Sequence, residues 1–411
     1  MCVATLILAL LLSACGGSGG ASPSAAATPV IDLAAADLDL LLERLERTHP
    51  EPFHAIPRPV WVAELEALEA RLPDLAPPEA MVELMRVVAL LSREGRDGHQ
   101  FALPTSDAIE VLPLRVWEFE EGLFVTDATA GGAGLVGSRI TAVGGWPVAD
   151  VLAAIEPLVP RDGPATVPSF RPLYLLRLDV LRGLGIIGLE ESAVALSVDG
   201  RAEPLAVEAI TLREHVAWAG ELGMLRLPPG DDPPFRVEEL EGSRTVYLRC
   251  RQVQRVPTDA LAILRQRAGA PDVDRVILDL RQNPGGDNTT YRQLLGALQA
   301  DDVNVPGRLF VLIDRTTFSA ASNLATEIER TTDATFVGEP MGGGLNFWND
   351  VAWVELEHWP IPMRVGVSTR YWQMGVPDDP RLTIEPEIAV PSRAADFFAG
   401  RDPALEAALA A

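Results

Sequence analysis

The sequence predicts an α/β core in its C-terminal half, preceded by a helical region and then by a region of short strands. Two observations carry this. From about Ser243 onward, apolar strand-like runs alternate with runs of helical periodicity: TVYLRC, then TDALAILRQRA, then RVILDL. After DLRQNPGG come the helix-like YRQLLGALQA, the strand-like RLFVLI, a helix opening at Ser319 and the strand-like TFVGE. Such alternation argues for strands connected by helices. Upstream the period changes, first to helical stripes and then to short alternating runs, so the chain is divided before the core begins.

In order along the chain, Val3 to Leu12 is an apolar run too short to span a membrane, and Leu12-Ser13-Ala14-Cys15 after it resembles a bacterial lipobox. The expectation is a leader over 1–14, lipidation at Cys15, and a flexible tether over 15–30 (GGSGGASPSAAATP), whose small residues bury no core. Residues 31–104 read as helices: Leu38, Leu41, Leu42 and Leu45; Trp61, Leu65, Leu68 and Leu72; Met81, Leu84, Met85, Val88 and Leu91. This region ends in the polar loop REGRDGHQF.

Residues 105–212 read as short strands. Gly132 to Gly137 match the dinucleotide pattern GxGxxG, but SRITAV after them reads as a strand, where that fingerprint needs a helix. The spacing of Gly137, Ile140, Val143, Gly145 and Val148 instead resembles a PDZ-like module, with the glycines serving turns. The core is assigned 213–395 and a short tail 396–411.

Composition narrows the function. With 411 residues and 48% hydrophobic content, several domains and a substantial core are available. A net charge of −24 argues against nucleic acid and against anionic membrane surfaces as partners. All 34 basic residues are arginines, so a P-loop is excluded. The five histidines and three cysteines show no zinc-ligand spacing, so neither a metal site nor a cofactor is expected.

Three short stretches can carry chemistry. In DRTTFSAASNLATEI, Thr316, Thr317 and Ser319 stand at the mouth of a helix. The plain reading is capping; the sharper one is a nucleophile where free N–H groups stabilise negative charge. NPGG after a strand is ordinarily a turn, yet such glycines let backbone N–H groups face a substrate oxygen. A lone histidine in RDGHQ is ordinarily an exposed one, and gains meaning only beside a hydroxyl that needs a base.

VILDLRQNPGG, a strand, TTFSAASNLATEI and TFVGEPMGGG, in that order, resemble the S41 serine peptidases, the tail-specific processing proteases and their relatives. The resemblance implies a ClpP/crotonase-like α/β core and an enzyme that cleaves polypeptides; with the lipobox-like Leu12-Ser13-Ala14-Cys15 the expectation is a secreted, lipid-anchored enzyme of the bacterial cell envelope. It places Ser319 as nucleophile and Gly285, Gly286 and Ala320 around the oxyanion. The processing proteases use a lysine where this chain has Gly344, so the resemblance to the lysine-less branches implies His99 as base. Asp379 is the preferred third member, with Asp378 and Asp97 as alternatives, and Ser322 is the competing nucleophile. An unperturbed histidine base would give activity rising with pH near 6 to 7, roughly. The alternative is a non-catalytic ligand- or peptide-binding protein on the same fold.

Overall fold

The computed structural model describes residues 30–106, 109–219, 233–377 and 379–411. The leader, Cys15, the tether as far as residue 29 and Asp378 lie outside the described residues; the last tether residue, Val30, begins the first helix.

The helical region forms Val30–Thr48, Arg58–Arg71 and Pro77–Ala89; the predicted stripes are buried except for the half-buried Leu42, with Leu72 and Leu91 in the 3-10 turns that follow the second and third helices. The middle region departs from an all-strand reading. It holds a hairpin of Leu114–Phe119 with Gly122–Ala128 and a sheet around Ile140–Val143 and Ala193–Val198, but also helices Val148–Ile155, Thr166–Leu175 and Leu178–Gly183. Pro168 and Pro172 mask the second helix in the sequence. Pro172 lies inside it, and burial of Val167, Phe170, Tyr174 and Leu175 supplies by packing what propensity does not. Gly132 and Gly134 of GxGxxG fall in a 3-10 turn, Ala130–Leu135, and Gly137 follows it before strand Ile140–Val143, so no helix N-terminus awaits a pyrophosphate.

The core is a six-stranded sheet in the order Phe235–Leu240, Thr245–Cys250, Arg275–Asp279, Leu309–Ile313, Thr335–Gly338, Ile388–Ala389. The first pair is antiparallel and the rest are parallel. Side chains alternate between its faces, as strand geometry requires. Leu309, Val311 and Ile313 pack with Leu261, Leu294 and Leu324 of the helices on one face. Phe310 and Leu312 pack with Ala404 and Ala408 of the C-terminal helix Pro403–Ala410 on the other. Both faces are covered, which explains why these strands read as continuous apolar runs.

A second layer comes from a long hairpin, Asn346–Leu356 with Met363–Gln373, extended by Ala102–Pro104. It packs against the first helix, Val30–Thr48.

Candidate active site

Strand Leu309–Ile313 is wholly buried and ends at Asp314, which ties off a tight turn. Asp314 Oδ1 accepts from the Gln282 N–H at 3.2 Å, the Thr316 N–H at 2.9 Å and the Thr316 hydroxyl at 2.7 Å. The Thr317 hydroxyl donates to the Leu280 carbonyl at 2.9 Å, and the Phe318 N–H donates to the Asn283 carbonyl at 3.0 Å. Thr316 and Thr317 therefore build the turn and bind it to the NPGG segment, and neither caps the helix. The N-cap is Ser319, which makes no side-chain capping bond.

Ser319 has φ +55° and ψ −123°, a left-handed conformation that a non-glycine residue adopts at a cost of about 1–3 kcal/mol. A strained turn from strand to helix presents a hydroxyl to reactants where a regular cap would bury it in bonding. The Ser319 Oγ accepts from Asn349 Nδ2 at 3.3 Å. Ser322 is fully buried and donates to the Thr317 carbonyl at 3.3 Å, which leaves it a packing role.

The oxyanion donors need one correction. The Gly285 N–H donates to Asn283 Oδ1 at 3.0 Å, so it is occupied. What Gly285 provides is room. With φ +112°, a Cβ there would lie 2.7 Å from Ser319 Cβ and 3.0 Å from the Ala320 nitrogen. The N–H groups of Gly286 and Ala320 have no acceptor among the described residues. Gly286 must also be glycine, since a Cβ would sit 1.9 Å from the Val253 carbonyl oxygen.

His99 is buried, its ring stacked on Phe318 at 4.8 Å and on Phe347 at 5.5 Å between centroids. Neither ring nitrogen has a hydrogen-bond partner among the described residues. Burial pulls its pKa down to about 3, against a smaller upward pull from the Asp97 charge. A rise of activity near 6 to 7 is therefore not expected from this ring, contrary to the sequence-based expectation. The base of the sequence reading thus stands beside the residue preceding Ser319, uncharged and unpaired.

The acids expected to orient it are engaged elsewhere. Asp379 is held by Arg381, whose Nη2 lies 2.7 Å from its Oδ2, and those bonds keep its carboxyl below the ordinary range. Asp97 accepts from Ser368 Oγ at 2.7 Å, from His49 Nε2 at 3.0 Å and from Gln100. Burial would raise the Asp97 pKa, but the His49 and His54 hydrogen bonds, with the smaller help of Ser368, hold it down.

His49, His54 and Asp97 place ligand-type atoms within 4.8 Å of one another, a grouping that no sequence spacing announces. The donor set does not fit a divalent cation. The Glu51 N–H donates to His49 Nδ1 at 3.0 Å, so the ring hydrogen sits on Nε2, the atom a metal would need. Trp348 closes the cluster by packing on His49 at 4.6 Å.

Asn349 escaped the sequence reading. It lies on the same face of its strand as Phe347, two residues away, so one strand backs both His99 and Ser319. A single neutral hydrogen bond is worth about 0.5–1.5 kcal/mol, so Asn349→Ala should lower kcat/KM roughly 2- to 10-fold. Steady-state kinetics at saturating and limiting substrate would measure it. An unchanged kcat/KM would remove Asn349 from the site.

Residues 244–354 match peptidase family S41. The fold agrees over nearly the whole chain. A crystal structure of a CPAF mutant is 13% identical, covering 90% of this chain and 95% of that one, with a TM-score of 0.63. Mature CPAF complexed with lactacystin is 14% identical, covering 93% and 98%, with a TM-score of 0.62. No curated protein matches in sequence. Fold and motif together define the class, a serine-type peptidase. More particularly, the segment that matches family S41 runs from strand Thr245–Cys250 through Ser319 into the hairpin that holds Asn349.

Proposed function

We propose that the protein is a lipid-anchored, extracytoplasmic serine peptidase that cleaves polypeptides through Ser319, with His99 as the base. The observation that carries the reading is the strained backbone of Ser319 at the start of a helix, with an unbonded Ala320 N–H beside it. Ser319 Oγ bonds to the scissile carbonyl carbon as its proton passes to the His99 imidazole. The carbonyl oxygen, now negative, lies against the Ala320 and Gly286 N–H groups. Each such donor is worth about 2.7–4 kcal/mol in the transition state. Collapse breaks the C–N bond, and His99 returns the proton to the leaving amine. Water, deprotonated by His99, then bonds to the acyl carbon; the bond to Ser319 Oγ breaks and His99 returns the proton to Oγ, releasing the acid. The reading includes a turn of the His99 ring toward Ser319, since catalytic contacts tighten when substrate binds. It also includes an opening step, because Ser319 is only 3% exposed.

Incubation with an unfolded polypeptide, followed by mass spectrometry of new termini, tests the activity. Cleavage by the wild type and none by Ser319→Ala is expected. Saturable binding of an apolar ligand without cleavage would favour the binding-protein alternative.

Anchoring is proposed from Leu-Ser-Ala-Cys at residues 12–15 and the tether that follows. Among the described residues no helix is long and apolar enough to cross a membrane. Cys15→Ser should move the protein from the membrane to the soluble fraction. A variant that still sediments with membranes would discount acylation at Cys15.

A further inference from the structure

Asp162, from the middle region, lies between two loops that frame the nucleophile, and it is completely buried. Its Oδ1 accepts from the Gly98 N–H at 2.6 Å and its Oδ2 from the Gly344 N–H at 3.3 Å. The backbone repeats the connection: the Arg96 N–H donates to the Asp162 carbonyl at 2.8 Å, and the Asp97 N–H to the Arg161 carbonyl at 3.2 Å. Thr166 secures the segment by donating to the Gly342 carbonyl at 2.5 Å and accepting from the Asp162 N–H at 3.1 Å. Both loops bear on the site. Gly98 immediately precedes His99, and the Gly343 N–H donates to the Thr317 carbonyl at 3.1 Å, two residues before Ser319. The fit is close: a Cβ on Gly98 would approach both the Asp162 nitrogen and the Phe318 ring to 3.0 Å.

We propose that Asp162 is a positioning residue whose carboxylate, by bridging the Gly98 and Gly344 N–H groups, sets where His99 stands relative to Ser319. The inference rests on the Ser319–His99 reading above. A bridge between two N–H donors needs two acceptors. An ionised carboxylate supplies both, whereas a protonated one turns an O–H toward one of the donors.

Burial pushes the Asp162 carboxyl up to about 7; the Gly98 N–H pulls it down and the Asp97 charge pushes it further up. The groups around it are few. Asp97 and the uncharged His99 belong to the loop on one side, and the glycine loop on the other brings no charge. Arg161 directs its guanidinium to Glu156, and Arg96 reaches the Asn346 carbonyl. The bridge therefore forms as pH rises through about 7, in a range where His99, at about 3, does not titrate.

The test is the rate of labelling by a fluorophosphonate, from pH 5 to 9, for wild type, Asp162→Asn and Ser319→Ala, with amide exchange followed at Gly98 and Gly344. The wild-type rate should rise with pH about a midpoint near 7. Asp162→Asn should lose that rise and label on the order of 10²-fold more slowly at pH 8, the cost of a slightly misplaced catalytic group. It should also lose exchange protection at Gly344, where an amide N–H₂ would face another donor. An Asp162→Asn protein with wild-type rate, pH profile and protection overturns the inference while leaving Ser319 as nucleophile. A wild type that is never labelled at Ser319 overturns the underlying reading and the inference with it. Should Asp162→Asn not fold, wild-type protection at Gly98 and Gly344 must still rise with pH through about 7, and flat protection overturns the bridge.

Discussion

Ser319→Ala is expected to abolish peptide hydrolysis while leaving the fold and melting temperature nearly unchanged. In a comparable serine hydrolase, loss of the nucleophile alone costs on the order of 10⁶-fold in kcat, with residual catalysis from the oxyanion donors and binding. Stability should hardly move, because among the described residues the side-chain bond lost is the 3.3 Å contact from Asn349. Alanine also inherits the positive φ of Ser319, so the strain is neither relieved nor deepened. Ser322→Ala makes the contrast. It removes one bond to the Thr317 carbonyl inside the core, so it should cost some stability and leave most of the activity. Calorimetry and steady-state kinetics on both variants would check the pair. A Ser322→Ala enzyme that is folded and inactive, beside an active Ser319→Ala, would reverse the assignment.

His99→Phe is expected to raise stability and lower activity together. The ring lies between Phe318 and Phe347 with both nitrogens unpaired. A buried unsatisfied polar group costs about 1–3 kcal/mol, and a phenyl ring in the same stack avoids it. Loss of a general base should lower kcat about 10²- to 10⁴-fold. The pH dependence has a definite sign. The folded-state pKa of His99 is pulled down to about 3, below the ordinary histidine value. Between those values the unfolded chain binds a proton that the folded one does not. The stability His99 contributes is thus present above its unfolded pKa and lost as pH falls toward the folded one. His99→Phe removes that loss, so its advantage over the wild type should widen on acidification. Thermal melts at pH 7 and pH 5 would show it. A variant less stable at both would mean that the imidazole has a partner in solution.

How far the sequence could be read follows from the range of the interactions. The core strands were legible because each is an apolar run bounded by turn residues, and Ser319 because strand, turn and helix are contiguous in DRTTFSAASNLATEI. Helix Thr166–Leu175 was hidden by prolines that tertiary packing overrides. Gly285 and Gly286 look equivalent in NPGG, and only the Asn283 side chain, which takes the Gly285 N–H, separates them. Asp97 meets His49 across 48 residues and Asp162 meets Gly344 across 182. No local pattern encodes such pairings. Asp379 looked available from its position, yet Arg381, two residues on, claims its carboxylate.

The central claim, that Ser319 is the reacting atom's residue, is tested most directly by fluorophosphonate labelling with the modified peptide mapped by mass spectrometry. The account predicts one adduct, on Ser319, in the wild type and none in Ser319→Ala. An adduct on Ser322, or equal labelling of Ser319→Ala, would contradict it.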